Sequence, residues 1–313
     1  MAQSNFNIMD LCRDIYTIDE YFYVTDEGHF RVDTKYVELI DEYCHYENKS
    51  GNYNCDDYFQ WASCSFIYLL KNFKKYGLEY DKFAEYAILW LSYKLNKKTN
   101  NQFTNLNEFY TKYIENNKCY NDKINVDDNM TYKAIIDTKK DLMDMNINEI
   151  SKFNGLFSIL FYLYYLFHGE RLNCETNLKL ANNFADIFED LIKDPNNIKG
   201  TLYTQILSTL SDDYNILINK YCNKCTNFKS LPELNPQKIP VGKSEQPTAL
   251  SPEATPSSSS ILNTVIPGLS TFAIPVFLGV AYKYSLFGID KVFQRQYIRK
   301  QLNKIKKKMK LNI

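Results

Sequence analysis

Near the C-terminus, residues 261–282 read ILNTVIPGLSTFAIPVFLGVAY, 22 residues without one formal charge. At about 1.5 Å of helical rise per residue this run is roughly 33 Å long, enough for the ~30 Å hydrocarbon layer of a bilayer. It predicts a single transmembrane helix. Pro267, Gly268, Pro275 and Gly279 lie inside it. In water they would kink or mark a helix, but membrane helices carry Gly and Pro more often because neighbouring groups satisfy the freed carbonyls. The competing reading, a helix buried in a soluble core, leaves the flanking charges unexplained.

Those flanks are lopsided. Residues 261–313 hold ten lysines and arginines against one acid, Asp290, a charge of +9, while the rest of the chain holds 27 basic and 36 acidic residues, a charge of −9. Basic residues beside a spanning segment stay on the cytosolic side. Behind the anchor, Ile298, Leu302, Ile305 and Met309 recur at spacings of four, three and four. Lys291, Arg295, Arg299, Lys300, Lys304, Lys306, Lys307, Lys308 and Lys310 fill the intervening positions. A basic amphipathic helix of this kind is expected to lie on anionic lipid, each cation adding about 1 kcal/mol near the surface. The alternative is a solvated charge run that only fixes topology.

All eight cysteines, Cys12, Cys44, Cys55, Cys64, Cys119, Cys174, Cys222 and Cys225, precede the anchor. An even number on one side of a membrane points to disulfides formed in an oxidising compartment, although a domain this large also accommodates buried thiols. The N-terminus has no basic region followed by an apolar run, so no ordinary cleaved signal is expected. Charge and cysteine distribution together predict the N-terminal domain outside and the tail in the cytosol.

The domain is expected to be all-α. Glycine is scarce and most prolines fall after residue 230, the punctuation of helices joined by short loops. Ala62, Phe66, Leu69, Phe73 and Tyr76 form one stripe within 55–76. Phe83, Ala87, Trp90, Leu91 and Leu95 form another within 81–96, with Asp81 placed to cap it. Leu202, Ile206, Leu210, Leu217 and Tyr221 form a third within 201–222. Weaker helical patterns cover 7–22, 33–46, 105–118, 130–145 and 175–193, the last stopped by Asp194-Pro195. The uncharged run 153–169, FNGLFSILFYLYYLFHG, is short for a span and bracketed by Lys152 and Glu170. It is expected to be a central core helix, buried on all sides, around which the others pack. The organisation that follows is a helical ectodomain over 1–225, a disordered Pro/Ser-rich linker over 226–260, a transmembrane helix over 261–282 and a basic cytosolic tail over 283–313.

Chemistry is not concentrated anywhere. Cys222-Asn223-Lys224-Cys225 is a C-x-x-C without a βαβ setting or two further zinc ligands, which makes it a pair of disulfide candidates. His29, His45 and His168 are scattered. Gly242-Lys243-Ser244 lacks the rest of a phosphate loop, and no nucleophile elbow, zincin or dinucleotide motif occurs. Asp56-Asp57 and Asp212-Asp213 are expected at helix starts or on solvated faces. The sequons at Asn48 and Asn129 are weak signals in an Asn-rich chain. No enzyme, metal or cofactor is expected, and the acidic domain argues against nucleic acid.

Read together, the motifs resemble those of the Plasmodium interspersed repeat (PIR) multigene family, in particular its yir, bir and cir members. Ala87–Asn96, AILWLSYKLN, resembles the family's most recognisable internal sequence. Ala281–Ile313 resembles its C-terminal signature through Tyr284-Ser285-Leu286-Phe287-Gly288 and Lys306-Lys307-Lys308-Met309, departing from it at Ile289-Asp290. Glu108–Glu115, Ile150–Phe153 and Gln205–Tyr214 fall between them in the expected order. The resemblance implies a non-enzymatic, membrane-anchored variant antigen on the infected red cell or on parasite or vacuolar membranes. It also implies roles in antigenic variation and immune evasion, with host receptors or antibodies meeting the ectodomain. A structural or trafficking component of internal membranes is the second expectation. No export motif of the RxLxE/Q/D type is present near the N-terminus.

Overall fold

The computed structural model describes residues 7–25, 28–33, 40–44, 55, 57–98, 103–115, 117, 120, 131–168, 174–221 and 227–237. The expected anchor 261–282 and tail 283–313 lie outside them, as do both sequons, the C-x-x-C and Gly242-Lys243-Ser244. In chain order, α1 (Asn7–Tyr21) enters a hairpin of β1 (Phe22–Val24) and β2 (Phe30–Val32). A 3-10 turn (Asp41–Tyr43) then leads to α2 (Tyr58–Lys71), α3 (Phe73–Tyr76) and α4 (Tyr80–Asn96). The short helices α5 (Leu106–Tyr113), α6 (Tyr132–Asp137), α7 (Lys140–Asp144) and α8 (Ile147–Ile150) follow. A second 3-10 turn, Ser151–Phe153, leads into the long helices α9 (Asn154–His168), α10 (Cys174–Ile192) and α11 (Leu202–Tyr221).

The helical expectation therefore holds for the domain, with one addition. The hairpin pairs Phe22 with Val32, Tyr23 with Arg31 and Val24 with Phe30. Its turn is closed by the Gly28 amide donating to the Thr25 carbonyl at 2.8 Å, with Gly28 at φ 82 where a side chain would be strained. Three-residue strands are too short to show a period of two in the sequence. The expected helix over 33–46 is, in its described part, only the turn at Asp41–Tyr43. The pattern over 130–145 splits into α6 and α7.

Helix boundaries follow local chemistry. Asp57 caps α2 by accepting from the Phe59 and Gln60 amides at 2.8 and 2.9 Å, so the expectation of a helix start at Asp56-Asp57 is met. Gly77 ends α3 in the left-handed region at φ 56. The expected cap at Asp81 is not observed. Glu79 occupies that position in α4 without a side-chain bond, and Asp81 lies in the first turn, where its charge complements the helix dipole.

The most enclosed helix is α4, in which every residue from Phe83 to Leu95 is buried. This departs from the expectation for 153–169. Helix α9 does pack against α1, α4, α10 and α11, and Ile147–Phe167 is the one described stretch apolar and long enough to cross a membrane. Its Tyr162, Tyr165 and Leu166, however, are only half-buried. The third stripe is also rotated slightly. Leu202 is half-buried, while Tyr203, Ile206, Leu210, Tyr214 and Leu217 face the core. At Gly155 a Cβ atom would lie 3.2 Å from Ile187 Cδ1, so the missing side chain lets α9 and α10 approach closely.

Residues 227–237, which the sequence assigns to a disordered linker, form no helix or strand and are bonded to the helical body. The Lys199 amide donates to the Gln237 carbonyl at 3.0 Å and the Gln237 amide to the Asn197 carbonyl at 2.9 Å. Lys229 Nζ meets Asp186 at 2.6 Å, and Tyr214 donates to the Lys229 carbonyl at 3.3 Å.

Candidate functional site

Three buried carboxylates, Asp14, Asp19 and Asp213, organise the interior, and only the last drew a reading from the sequence. Asp19, near the end of α1, accepts from Lys94 Nζ at 2.8 Å, and the same ammonium donates to the carbonyls of Asp19 at 2.8 Å and Phe22 at 2.6 Å. Lys94 is fully enclosed, with its charge 4.0 Å from the Phe22 ring centroid. Lys97 adds a second ion pair to Asp19 at 3.2 Å. Burial pushes the Asp19 carboxyl up, but Lys94 and Lys97 together outweigh it and hold it at about 2. Burial lowers Lys94 to about 8, since desolvation, with Lys97 nearby, outweighs the support of Asp19 and Glu20. The cluster supplies a partner to the Asp19 carbonyl in the last turn of α1, where carbonyls lack partners inside the helix, and to the Phe22 carbonyl at the start of β1.

Asp213 does the same between α4 and α11. It accepts from Lys82 Nζ at 2.5 Å and Tyr86 Oη at 2.6 Å. The expectation of a solvated Asp212-Asp213 pair holds for Asp212, which is exposed, and fails for Asp213, which is 1 % exposed. The heptad-like stripe turns Asp213 inward beside Tyr214, and Lys82 and Tyr86 neutralise it. Asp14 forms the third cluster, accepting from Lys75 Nζ at 2.7 Å and Tyr76 Oη at 3.0 Å. Burial first and the adjacent carboxylates second push Tyr76, Tyr86 and Tyr93 above the ordinary phenol range, so these hydroxyls act as donors. A cleft of about 150 Å³ lies beside Asp213, lined by Ile8, Glu79, Lys82, Tyr164 and Ile216 among others. Asp213 and Lys82 are already engaged with each other there.

The cysteines divide. Cys44 and Cys55 form a disulfide, and Cys174 is disulfide-bonded. Cys12 and Cys64 are buried thiols, a correction to their candidacy as disulfide cysteines in the state described. Burial, with Asp213 nearby, pushes the Cys12 thiol well up, which keeps it protonated. Cys119, Cys222 and Cys225 lie outside the described residues. The sulfurs of Cys44, Cys55 and Cys64 lie within 4.8 Å of one another, the one described group with metal-ligand spacing, and two of the three are bonded to each other.

On the surface, Tyr16 of α1 stacks on Tyr165 and Tyr162 of α9 at centroid distances of 3.7 and 5.7 Å. All three are half-buried. Stacked tyrosines with one accessible edge offer rigid area and a hydroxyl, the usual material of a protein contact. The signal in the sequence was the tyrosine content of 153–169. The pairing with Tyr16 comes only from the packing of α1 on α9.

A helical domain held by disulfides and buried ion pairs is thus the class defined by this architecture. It is similar to a solved Plasmodium PIR protein ectodomain, with 32 % identity and a TM-score of 0.58 over 74 % of this chain and 99 % of the other. The family model of the Plasmodium variant antigen protein Cir/Yir/Bir matches residues 12–283. The chain belongs to that family. Among functionally curated proteins, none is significantly similar.

Proposed function

We propose that this variant antigen is a membrane-displayed, non-enzymatic binding module. In this reading residues 261–282 cross the bilayer, the basic tail lies on anionic lipid in the cytosol, and the helical domain faces host receptors or antibodies in immune evasion. The observation that carries the reading is the uncharged run of 22 residues followed by a strongly basic tail and preceded by a PIR-type ectodomain. Disulfides in the domain accord with an oxidising side of the membrane.

Protease protection on intact infected red cells tests it, using separate antibodies to residues 1–225 and to the tail. Loss of the N-terminal epitope with survival of the tail supports display. Survival of both epitopes overturns display and favours a structural or trafficking role on internal membranes.

A further inference from the structure

Cys64 differs from Cys12 in what lies against it. Cys44 follows the 3-10 turn, Cys55 precedes α2 and Cys64 sits in the second turn of α2. They are 2 %, 8 % and 0 % exposed. Cys44 and Cys55 are joined, yet Cys64 Sγ lies only 2.8 Å from Cys55 Sγ, closer than ordinary van der Waals contact between two sulfurs. A thiol is therefore already placed against one sulfur of a disulfide, the encounter that thiol–disulfide exchange requires.

We propose that Cys44, Cys55 and Cys64 form an internal exchange site in which Cys55 is shared between two alternative bonds, Cys44–Cys55 and Cys55–Cys64. The Cys64 thiolate attacks Cys55 Sγ, an S–S bond forms between them, and the Cys44–Cys55 bond breaks with its electron pair leaving on Cys44. The proton lost by Cys64 ends on Cys44. One S–S bond and one S–H bond stand on each side, so the step consumes no oxidant or reductant. The two bonds close chain separations of 11 and 9 residues, and loop entropy hardly distinguishes closures so similar in length. Burial of all three sulfurs keeps small thiols out and confines exchange to the trio, and because the same burial disfavours the attacking thiolate the exchange is slow and is read after long incubation at pH 8.

The exchange changes what is tied down. In the Cys44–Cys55 form the bond fastens the 3-10 turn to the entrance of α2. In the Cys55–Cys64 form that link is gone and the entrance of α2 is stapled to its own second turn. The turn keeps other attachments, since Tyr43 packs on Tyr68 at 6.1 Å and its carbonyl accepts from Asn117 Nδ2 at 3.1 Å. The domain is thus built to survive either linkage.

The test is disulfide mapping of the full-length protein in detergent. After incubation at pH 8, thiols are trapped by alkylation under acid unfolding conditions, and the protein is cut with trypsin and chymotrypsin between Cys44, Cys55 and Cys64. The expected result is both linked peptide pairs, with Cys44 alkylated in proportion to the Cys55–Cys64 product. Cys64→Ser should retain only Cys44–Cys55. Cys44→Ser, folded in a glutathione redox buffer whose glutathione disulfide takes up the two electrons, should hold only Cys55–Cys64, with neither sulfur alkylated. A wild-type protein that yields Cys44–Cys55 alone after prolonged incubation overturns the proposal, and it does so even where Cys44→Ser fails to fold. A folded Cys44→Ser protein in which Cys55 and Cys64 are both alkylated overturns it as well.

Discussion

Replacing Lys94 with methionine removes the one cation whose three bonds join α4 to the end of α1. The chain keeps similar volume, so the loss is electrostatic. Left behind are the Asp19 and Phe22 carbonyls, previously bonded at 2.8 and 2.6 Å, and a buried carboxylate with Lys97 as its remaining cation. Bonds from a charged donor contribute about 1.5–3 kcal/mol each, and desolvation of the ammonium, no longer required, offsets part of their sum. Removing one partner of a buried pair typically costs about 3–5 kcal/mol, and that is the expected loss here. Against a total stability of about 5–15 kcal/mol it leaves a marginal fold. Urea unfolding at pH 7, followed through Trp61 and Trp90 fluorescence, should show the midpoint lowered by about 1 M or more with an unchanged slope. Combined with Asp19→Asn, the double variant should lose less than the sum of the single losses, because the two act on one network. A loss below about 1 kcal/mol for Lys94→Met, or strict additivity, would refute the assignment of this cluster as the clamp between α1 and α4.

Asp19 also sets a pH window. Its carboxyl is held at about 2 against an ordinary 3.8, so the unfolded chain binds the proton more readily. That contribution, about 2 kcal/mol, is complete above pH 4 and disappears as pH falls towards 2. Thermal melts across this range should flatten in Asp19→Asn. Asp57→Ala should cost about 1 kcal/mol through loss of the α2 cap, measurable as a lower urea midpoint. Gly155→Leu forces a side chain into Ile187 and should destabilise by about 1–3 kcal/mol or more by the same measurement. Shortening 261–282 by six residues leaves a helix of only ~24 Å and should release the protein from membranes in carbonate extraction. Retention would count against the anchor.

Helices with a regular apolar stripe were legible because burial imposes the 3.6-residue period directly on the sequence. Ala62, Phe66 and Leu69 in α2, and Phe83, Ala87 and Trp90 in α4, are all buried as their spacing requires. What escaped reading was pairing across distance. Lys94 lies 75 residues from Asp19, and Lys82 lies 131 from Asp213. No local pattern reports such partners. One trace was present: Lys94 interrupts the apolar run AILWLSYKLN, and a lysine on a core face is enclosed only with a partner. The division of the cysteines was illegible for a similar reason, since spacing alone does not state which sulfurs meet. The hairpin failed for want of length.

The segment 227–237 decides where tension would enter this domain. The chain leaves α11 at Tyr221 yet rejoins the body at Gln237, which is bonded in parallel to the Asn197–Lys199 connection between α10 and α11. A pull on the C-terminal side of the chain first loads those two backbone bonds and the Lys229 contacts with Asp186 and Glu189. The last turn of α11 is spared until they break. The docked segment thus works as a strain relief, keeping force at the far end of the chain from peeling the helix that carries Asp213.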